Sequence, residues 1–274
     1  MSLTLEEKIA RRGENVSDQA VCELALYAGH ILLESGAELF RVEDTIRRIN
    51  DDYGIESDNA FVLSNGIFLT AGSGREGLFA RVEHIPIASS HLDRVAAVNQ
   101  LSREIAEGKH TVPEAFARLR EIQALPFTAD WIQILASGIG SGCFCYLFGG
   151  SPFDCVVAFF CGLMVYLFVL AAGKKHLSKI MTNILASAVA AFCGLFLFRL
   201  GLGHDMSHII IGSIIPLVPG VPLTNSIRDF FNGDYISGTI RLIDTLLIAA
   251  CIAIGVGGVL MIANMLGISV GVPV

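Results

Sequence analysis

The sequence predicts an α-helical polytopic membrane protein of about five spans, one of them broken at a proline-rich segment, with an N-terminal cytoplasmic α+β domain. Three observations carry this. Charge is concentrated early: residues 1–130 hold 13 of the 19 Lys+Arg and 21 of the 26 Asp+Glu, so residues 131–274 keep only 6 basic and 5 acidic side chains, too few for a soluble surface of that size. Uncharged apolar stretches recur through that second part. One run, Ile215-Pro216-Leu217-Val218-Pro219-Gly220-Val221-Pro222-Leu223-Thr224-Asn225, sets three prolines at three-residue spacing, and a single helix does not carry them because each lacks an N–H and clashes with the preceding turn. The domains are read as residues 1–125 and 126–274.

In the soluble part Ser17 is a helix N-cap, followed by Val21, Leu24, Ala28, Ile31 and Leu32 at three-to-four spacing and a Ser35-Gly36 stop. A second helix buries Leu39, Val42, Ile46 and Ile49. It leaves Glu38, Arg41, Thr45 and Arg48 on an adjacent face, with Glu43, Asp44 and Arg47 also polar, and Tyr53-Gly54 ends it. Two β-type runs, Ala60–Leu63 and Ile67–Thr70, join across Asn65-Gly66, the strongest two-residue hairpin signal. Gly72–Gly77 then turns into a third strand at about Leu78–Ile85. These glycines sit between strands with no GKS or GKT behind them, so they are not read as a phosphate loop. Helices follow over Ser90–Glu107 and Val112–Gln123, the second opened by a capping box at Thr111-Val112-Pro113-Glu114. The opening 30 residues have no apolar signal-peptide core, which keeps this domain in the cytoplasm.

Four stretches are long and uncharged enough to span: Trp131–Phe148, Cys155–Ala172, Ile180–Phe198 and Thr245–Leu266. Roughly 20 apolar residues at about 1.5 Å each cross a hydrocarbon core of about 30 Å. His208–Val218 is a half-span, or a helix continued beyond a kink. With five crossings, Arg118, Arg120, Lys174, Lys175, Lys179, Arg228 and Arg241 face the cytoplasm, only Arg199 faces out, and the C-terminus is external. The net charge of each part, −8 and +1, argues against nucleic acid as a partner. The seven cysteines have no CxxC spacing and read as small buried hydrophobes, so no metal and no cofactor is assigned.

The chemistry gathers around the prolines. Thr224 and Asn225 are good N-caps, so a new helix is expected there, its free N–H groups pointing back to the break and suiting a carboxylate. Pro219, Gly220, Thr224, Asn225 and Arg228 are therefore the substrate-binding candidates, with Arg228 able to clamp a carboxylate in bidentate fashion. The alternative puts Arg228 at the rim, paired with Asp229 or Asp234, and Arg241 snorkelling at the foot of the last helix. Asp229, Asp234 and Asp244 are the proton- or ion-coupling candidates, Asp244 foremost because it already lies inside an apolar run. His204-Asp205 and His208 have a metal-like spacing but belong to a loop that would carry such residues anyway. Asn183 and Ser187 line a polar path or act as interhelical glue. Gly138 with Gly142, and Ala253 with Gly257 beside Gly255 and Gly258, let helices approach closely; their surplus points to a second membrane chain.

Ser35-Gly36-Ala37-Glu38 with Arg41-Val42-Glu43-Asp44-Thr45, and Leu217-Val218-Pro219-Gly220-Val221 running through Thr224-Asn225-Ser226-Ile227-Arg228-Asp229 to Gly233-Asp234, Ser237-Gly238 and Arg241, resemble the threonine/serine exporter family over nearly the whole chain. The resemblance implies export of small amino acids, about ten spans in one chain or two, and hence that this chain is the N-terminal subunit of the split form. It also implies a partner supplying about five further spans, with a higher oligomer possible. A split relative linked to dicarboxylate export leaves succinate-type substrates as the alternative. The cluster Glu38, Arg41, Glu43 and Asp44, with Arg241, is carried over as a gating or structural motif.

The expected function is thus a subunit of a secondary exporter in a bacterial cell membrane, moving small carboxylate-bearing metabolites and not an enzyme. Nothing suggests ATP hydrolysis, and no nucleophile motif such as GxSxG is present. A membrane metal enzyme built on His204, Asp205 and His208, or a sensory scaffold built on the soluble domain, are the competing classes.

Overall fold

The computed structural model describes residues 4–13, 16–55, 57–72, 79–86, 90–175 and 177–268. The chain divides into two compact units: Met1–Phe127 with Asn225–Ile240, and Thr128–Thr224 with Arg241–Val274.

The first unit opens with α1 (Leu5–Ala10), which the sequence reading missed. Its signal is a capping box: Thr4 and Glu7 satisfy each other's backbone N–H groups. Next come α2 (Asp18–Glu34) and α3 (Leu39–Asp52), then β1 (Ser57–Leu63), β2 (Gly66–Gly72) and β3 (Phe79–His84), and finally α4 (Leu92–Ala106) and α5 (Val112–Gln123). Ser17 caps α2 by accepting from Ala20 N–H, and the Thr111–Glu114 capping box opens α5. The strands form an antiparallel sheet in the order β1-β2-β3. Leu63 pairs with Gly66, so the turn residues are Ser64 and Asn65, and Gly66 already belongs to β2. A Cβ on Gly66 would lie 2.9 Å from the Glu83 carbonyl oxygen, which is why glycine stands there. Of the glycine run expected at 72–77, residues 73–77 lie outside the described residues.

The core of this unit is centred on α2, whose Val21, Leu24, Ala28, Ile31 and Leu32 are all fully buried. Against it pack Leu39, Val42, Ile46 and Ile49 of α3, Ile67 and Leu69 of β2, and Leu119 of α5. Thr45, expected on the polar face of α3, is buried instead. A second unforeseen feature is a buried arginine: Arg12 donates to the carbonyls of Tyr53 (2.5 Å) and Gly54 (3.2 Å) and ion-pairs with Asp18. The C-terminal end of α3 is thereby tied to the segment after α1, with the charge neutralised as burial requires.

The remaining helices are α6 (Asp130–Leu147), α7 (Pro152–Lys174), α8 (Lys179–Arg199), α9 (Met206–Ile214), α10 (Gly220–Phe231) and α11 (Tyr235–Met265), with a single 3-10 turn at Ile215–Leu217. By length and composition α7, α8 and α11 are able to cross a membrane, and α9 with its 3-10 turn forms a pair with α10 bent by 62°. The stretch expected to span at 131–148 forms α6, but Ser137, Gly138, Gly140, Ser141 and Gly142, together with Asp130 and Gln133, dilute its apolarity below that of the other three.

Close approach explains those small residues. Ser137 Oγ donates to the Gly162 carbonyl at 2.9 Å, and a Cβ on Gly162 would sit 2.2 Å from Ser141 Oγ. Helices α6 and α7 therefore touch backbone to backbone, the packing that works in lipid, where the hydrophobic effect gives no drive. Asn183 and Ser187 both bond back to their own helix: Asn183 to Lys179 O (2.8 Å), Ser187 to Asn183 O (2.8 Å). These bonds stay within α8 and do not cross to a neighbouring helix, so they are not the interhelical glue that the sequence offered as one of its two readings.

Candidate functional site

The proline segment is built as follows. After α9 the 3-10 turn closes with Val218 N–H donating to Ile215 O at 3.0 Å, and Val218 itself is extended. Helix α10 then begins at Gly220, four residues ahead of the start expected from Thr224 and Asn225. The physical reason is that a proline is tolerated in the first turn, where its missing N–H has no intrahelical partner to serve; Pro222 occupies that turn. Thr224 is consequently inside the helix, its hydroxyl donating to Gly220 O at 3.0 Å. Gly220 N–H is used by Val218 O and Leu223 N–H by Pro219 O, so Val221 supplies the one first-turn amide left without a backbone partner among the described residues. The donor set at the break is smaller than the sequence reading supposed.

Further along, the two sequence motifs meet within the first unit. Glu38, which precedes α3, uses one carboxylate oxygen for Arg228 of α10 and the other for Arg41 Nε at 3.2 Å. Arg228 is thus paired with neither Asp229 nor Asp234, the partners considered from sequence. Glu43, one turn on in α3, accepts from Val62 N–H at 3.0 Å. Burial pushes its carboxyl above the ordinary range, and the nearby Asp234 charge pushes it further. Asp229 is buried. Asp44 instead pairs with Arg48 at 2.5 Å on the exposed side of α3.

The second motif also shapes its own hairpin. Gly233 has φ +87°, a left-handed position that ends α10, and Asp234 N–H returns to Asp229 O at 2.9 Å. Ser226 Oγ donates to Gly238 O at 2.9 Å, and a Cβ on Gly238 would come within 3.0 Å of the Phe230 ring. Ser237 Oγ in turn accepts from Ser64 N–H at 3.3 Å. Between Phe61–Leu63 of β1 and Gly233–Ser237 lies a cavity of about 210 Å³ into whose lining Asp234 is built. Ser226 and Ser237 carry this geometry; from sequence they stood only as members of the motif, with no role given to either.

In the second unit Asp244 is paired with Lys179 at 2.7 Å, and the Arg241 carbonyl accepts from Thr245 Oγ1 at 2.8 Å. Asp205 caps α9, accepting from Ser207 N–H at 2.8 Å, and lies 3.2 Å from His208 Nδ1. No group of three metal-type side chains that could hold an ion occurs among the described residues. The residue that sequence reading overlooked here is Asp154. It is 1% exposed and accepts from Ser151 Oγ (2.7 Å), Ser151 N–H (3.0 Å), His204 N–H (2.6 Å) and Asp205 N–H (3.2 Å), stapling the 203–205 loop to the start of α7. Its signal was the Ser-x-x-Asp capping box at 151–154, hidden just outside an uncharged stretch.

Helices long and apolar enough to cross a membrane, with a bent pair among them, mark a membrane-type protein. The comparisons with known proteins agree: the family described as "Putative threonine/serine exporter" matches residues 23–263. The chain belongs to that family. It is 26% identical over 263 residues to a "Probable succinate transporter subunit YjjP" of Klebsiella aerogenes, covering 94% of this chain and 98% of that protein. The Escherichia coli K12 protein of the same description is 26% identical over 243 residues, covering 86% and 93%. A "Threonine/serine exporter" of Corynebacterium glutamicum is 25% identical over 245 residues, 86% of this chain but 50% of that protein. No solved structure matches.

Proposed function

We propose that this chain is one subunit of a secondary exporter of small carboxylate-bearing metabolites, with the substrate held at the break between Pro216 and Asn225. The observation that carries the reading is the 62° bend of the otherwise apolar pair Met206–Leu217 and Gly220–Phe231. Broken helices in lipid are tolerated where they line a cavity, and half-helix starts are where transporters bind anions. Pro219 and Gly220 open the backbone and the Val221 amide at the start of α10 is the donor offered to the substrate, with Thr224 one turn on; Arg228, considered for this role from sequence, is held instead by Glu38. Asp229, Asp234 and Asp244 are the candidates for coupling export to a proton or ion gradient.

The arrangement proposed in the cell is a multi-pass bacterial inner-membrane protein of about five spans, residues 1–125 in the cytoplasm and the C-terminus outside. A second membrane subunit of about five spans completes the pathway. Supporting this, the chain matches half of the Corynebacterium exporter but nearly the whole of proteins named as subunits. On α11, Gly257 and Gly258 have no neighbour among the described residues within 4 Å of where a Cβ would stand, a small-residue face that another helix could approach.

A second reading of the substrate, a succinate-type dicarboxylate in place of threonine or serine, is favoured by the same end-to-end similarity to the two succinate transporter subunits. Counterflow into proteoliposomes holding this chain and its co-purified partner, loaded in turn with serine, threonine and succinate, tests both. Exchange of one class assigns the substrate. No exchange of any of the three, by a complex that is folded and assembled, refutes the exporter reading.

A further inference from the structure

Helices α3 and α4 border an open cleft of about 310 Å³ whose walls include Arg41, Arg48 and Arg103, with Asp44, Thr45 and Asn99. Three guanidinium groups meet one carboxylate there, a surplus of two positive charges in a chain of net charge −7. Arg41 and Arg48 stand two turns apart on α3, so they project along the same side of the helix, and Arg103 faces them from α4. Their partners are few. Arg48 lies 2.5 Å from Asp44, Arg41 shares Glu38 with Arg228, and Arg103 has no ion-pair or side-chain hydrogen-bond partner among the described residues. Like charges converging on one cleft repel, and the arginine fork is matched to carboxylate and phosphoryl oxygens. The cavity is at the lower end of the range for small-molecule sites, roughly 300–1,000 Å³.

We infer that this cleft is a binding site for a small multivalent anion bearing carboxylate or phosphoryl oxygens, separate from the proline break. Its occupant would act on the rest of the first unit through Arg41. When Arg41 turns to the anion, Glu38 is left with Arg228 alone, and the ion pair between the start of α3 and α10 tightens. The cleft thus links the anion content of the surrounding water to the hold on α10.

The test is titration calorimetry on the purified full-length chain in detergent at fixed ionic strength, with succinate, inorganic phosphate and the monoanion acetate. The expected result is saturable binding of succinate or phosphate, whichever is tighter naming the source, and no comparable binding of acetate. Arg103→Gln should weaken it by about tenfold or more, the scale of one lost charge-assisted contact, whereas Glu38→Gln, which releases Arg41, should tighten it several-fold. Arg48→Gln serves as the second weakening variant if Arg103→Gln fails to fold. Absence of saturation by either dianion, acetate binding as well as both, or unchanged affinity in the folded weakening variant overturns the proposal; the last would place the anion elsewhere, including at the transport break.

Discussion

Glu38 and Arg228 form an ion pair that ties the residue before α3 to the last turn of α10. Glu38 is the N-cap position of α3 but makes no capping bond, because both carboxylate oxygens are committed to arginines. A residue that gives up a cap to hold a partner distant in sequence is positioned for that contact. The side chains are 18% and 46% exposed, so solvent screens the pair and its worth is about 1 kcal/mol or less. Glu38→Gln and Arg228→Gln should each lower the melting temperature of the detergent-solubilised chain by about 2–4 °C. The double variant should cost less than their sum, as a coupled pair requires. Full additivity in the double-mutant cycle would show that the contact carries no energy.

Asp244 tests the coupling assignment. It lies in the apolar run of α11 with Lys179 at 2.7 Å. If it carries a proton, Asp244→Asn should abolish export while leaving the amount of protein in the membrane unchanged, and Lys179→Gln should leave export measurable because the carboxylate remains. Unchanged export by Asp244→Asn removes the residue from the mechanism, and equal loss in both variants reduces the pair to a structural tie.

Glu43 predicts a pH dependence of stability in the first unit. Burial first, and Asp234 second, raise its folded pKa above the ordinary value of 4.5. The folded state therefore holds more protons than the unfolded chain in the window that starts near 4.5 and extends to the raised value. By linkage its contribution to stability is most favourable below that window and declines as pH rises through it. Glu43→Gln keeps a carbonyl to accept from Val62 N–H and removes the titration. The variant should melt higher than the parent at neutral pH and show a flatter melting-temperature profile from about pH 4.5 upward; parallel profiles would mean Glu43 does not titrate in that range.

Local signals made much of the first unit legible. Caps at Ser17 and Thr111, the three-to-four apolar spacing of α2 and α3, and Asn65-Gly66 each act within one turn of chain, and the observed elements follow them within a residue or two. What sequence could not give were choices settled by distant neighbours. Thr45 is buried against the core although its face of α3 is otherwise polar, and Arg228 takes Glu38 rather than the acids beside it. The start of α10 was missed for a different reason: three prolines announce a break but not on which side of Pro222 the helix resumes, and the first turn admits proline. Asp154 lay one residue outside an uncharged stretch, where a charge reads as a terminus, not as the acceptor of four hydrogen bonds.

The glycines of α11 separate internal packing from partner binding. A Cβ on Gly255 would stand 2.0 Å from Ser187 Oγ and 2.2 Å from Ile184 O of α8. The second of these is backbone and has little room to yield, so Gly255→Ala should destabilise the isolated chain by about 1–3 kcal/mol through overpacking. Two residues on, Gly257 has no neighbour among the described residues within 4 Å of its would-be Cβ. Gly257→Leu should therefore leave the melting temperature of this chain alone nearly unchanged. If the second subunit packs on that face by close helix approach, the same change should sharply reduce its co-purification from membranes expressing both. Recovery of the full complex with Gly257→Leu would mean the open face meets lipid, and the partner must then be sought on another helix.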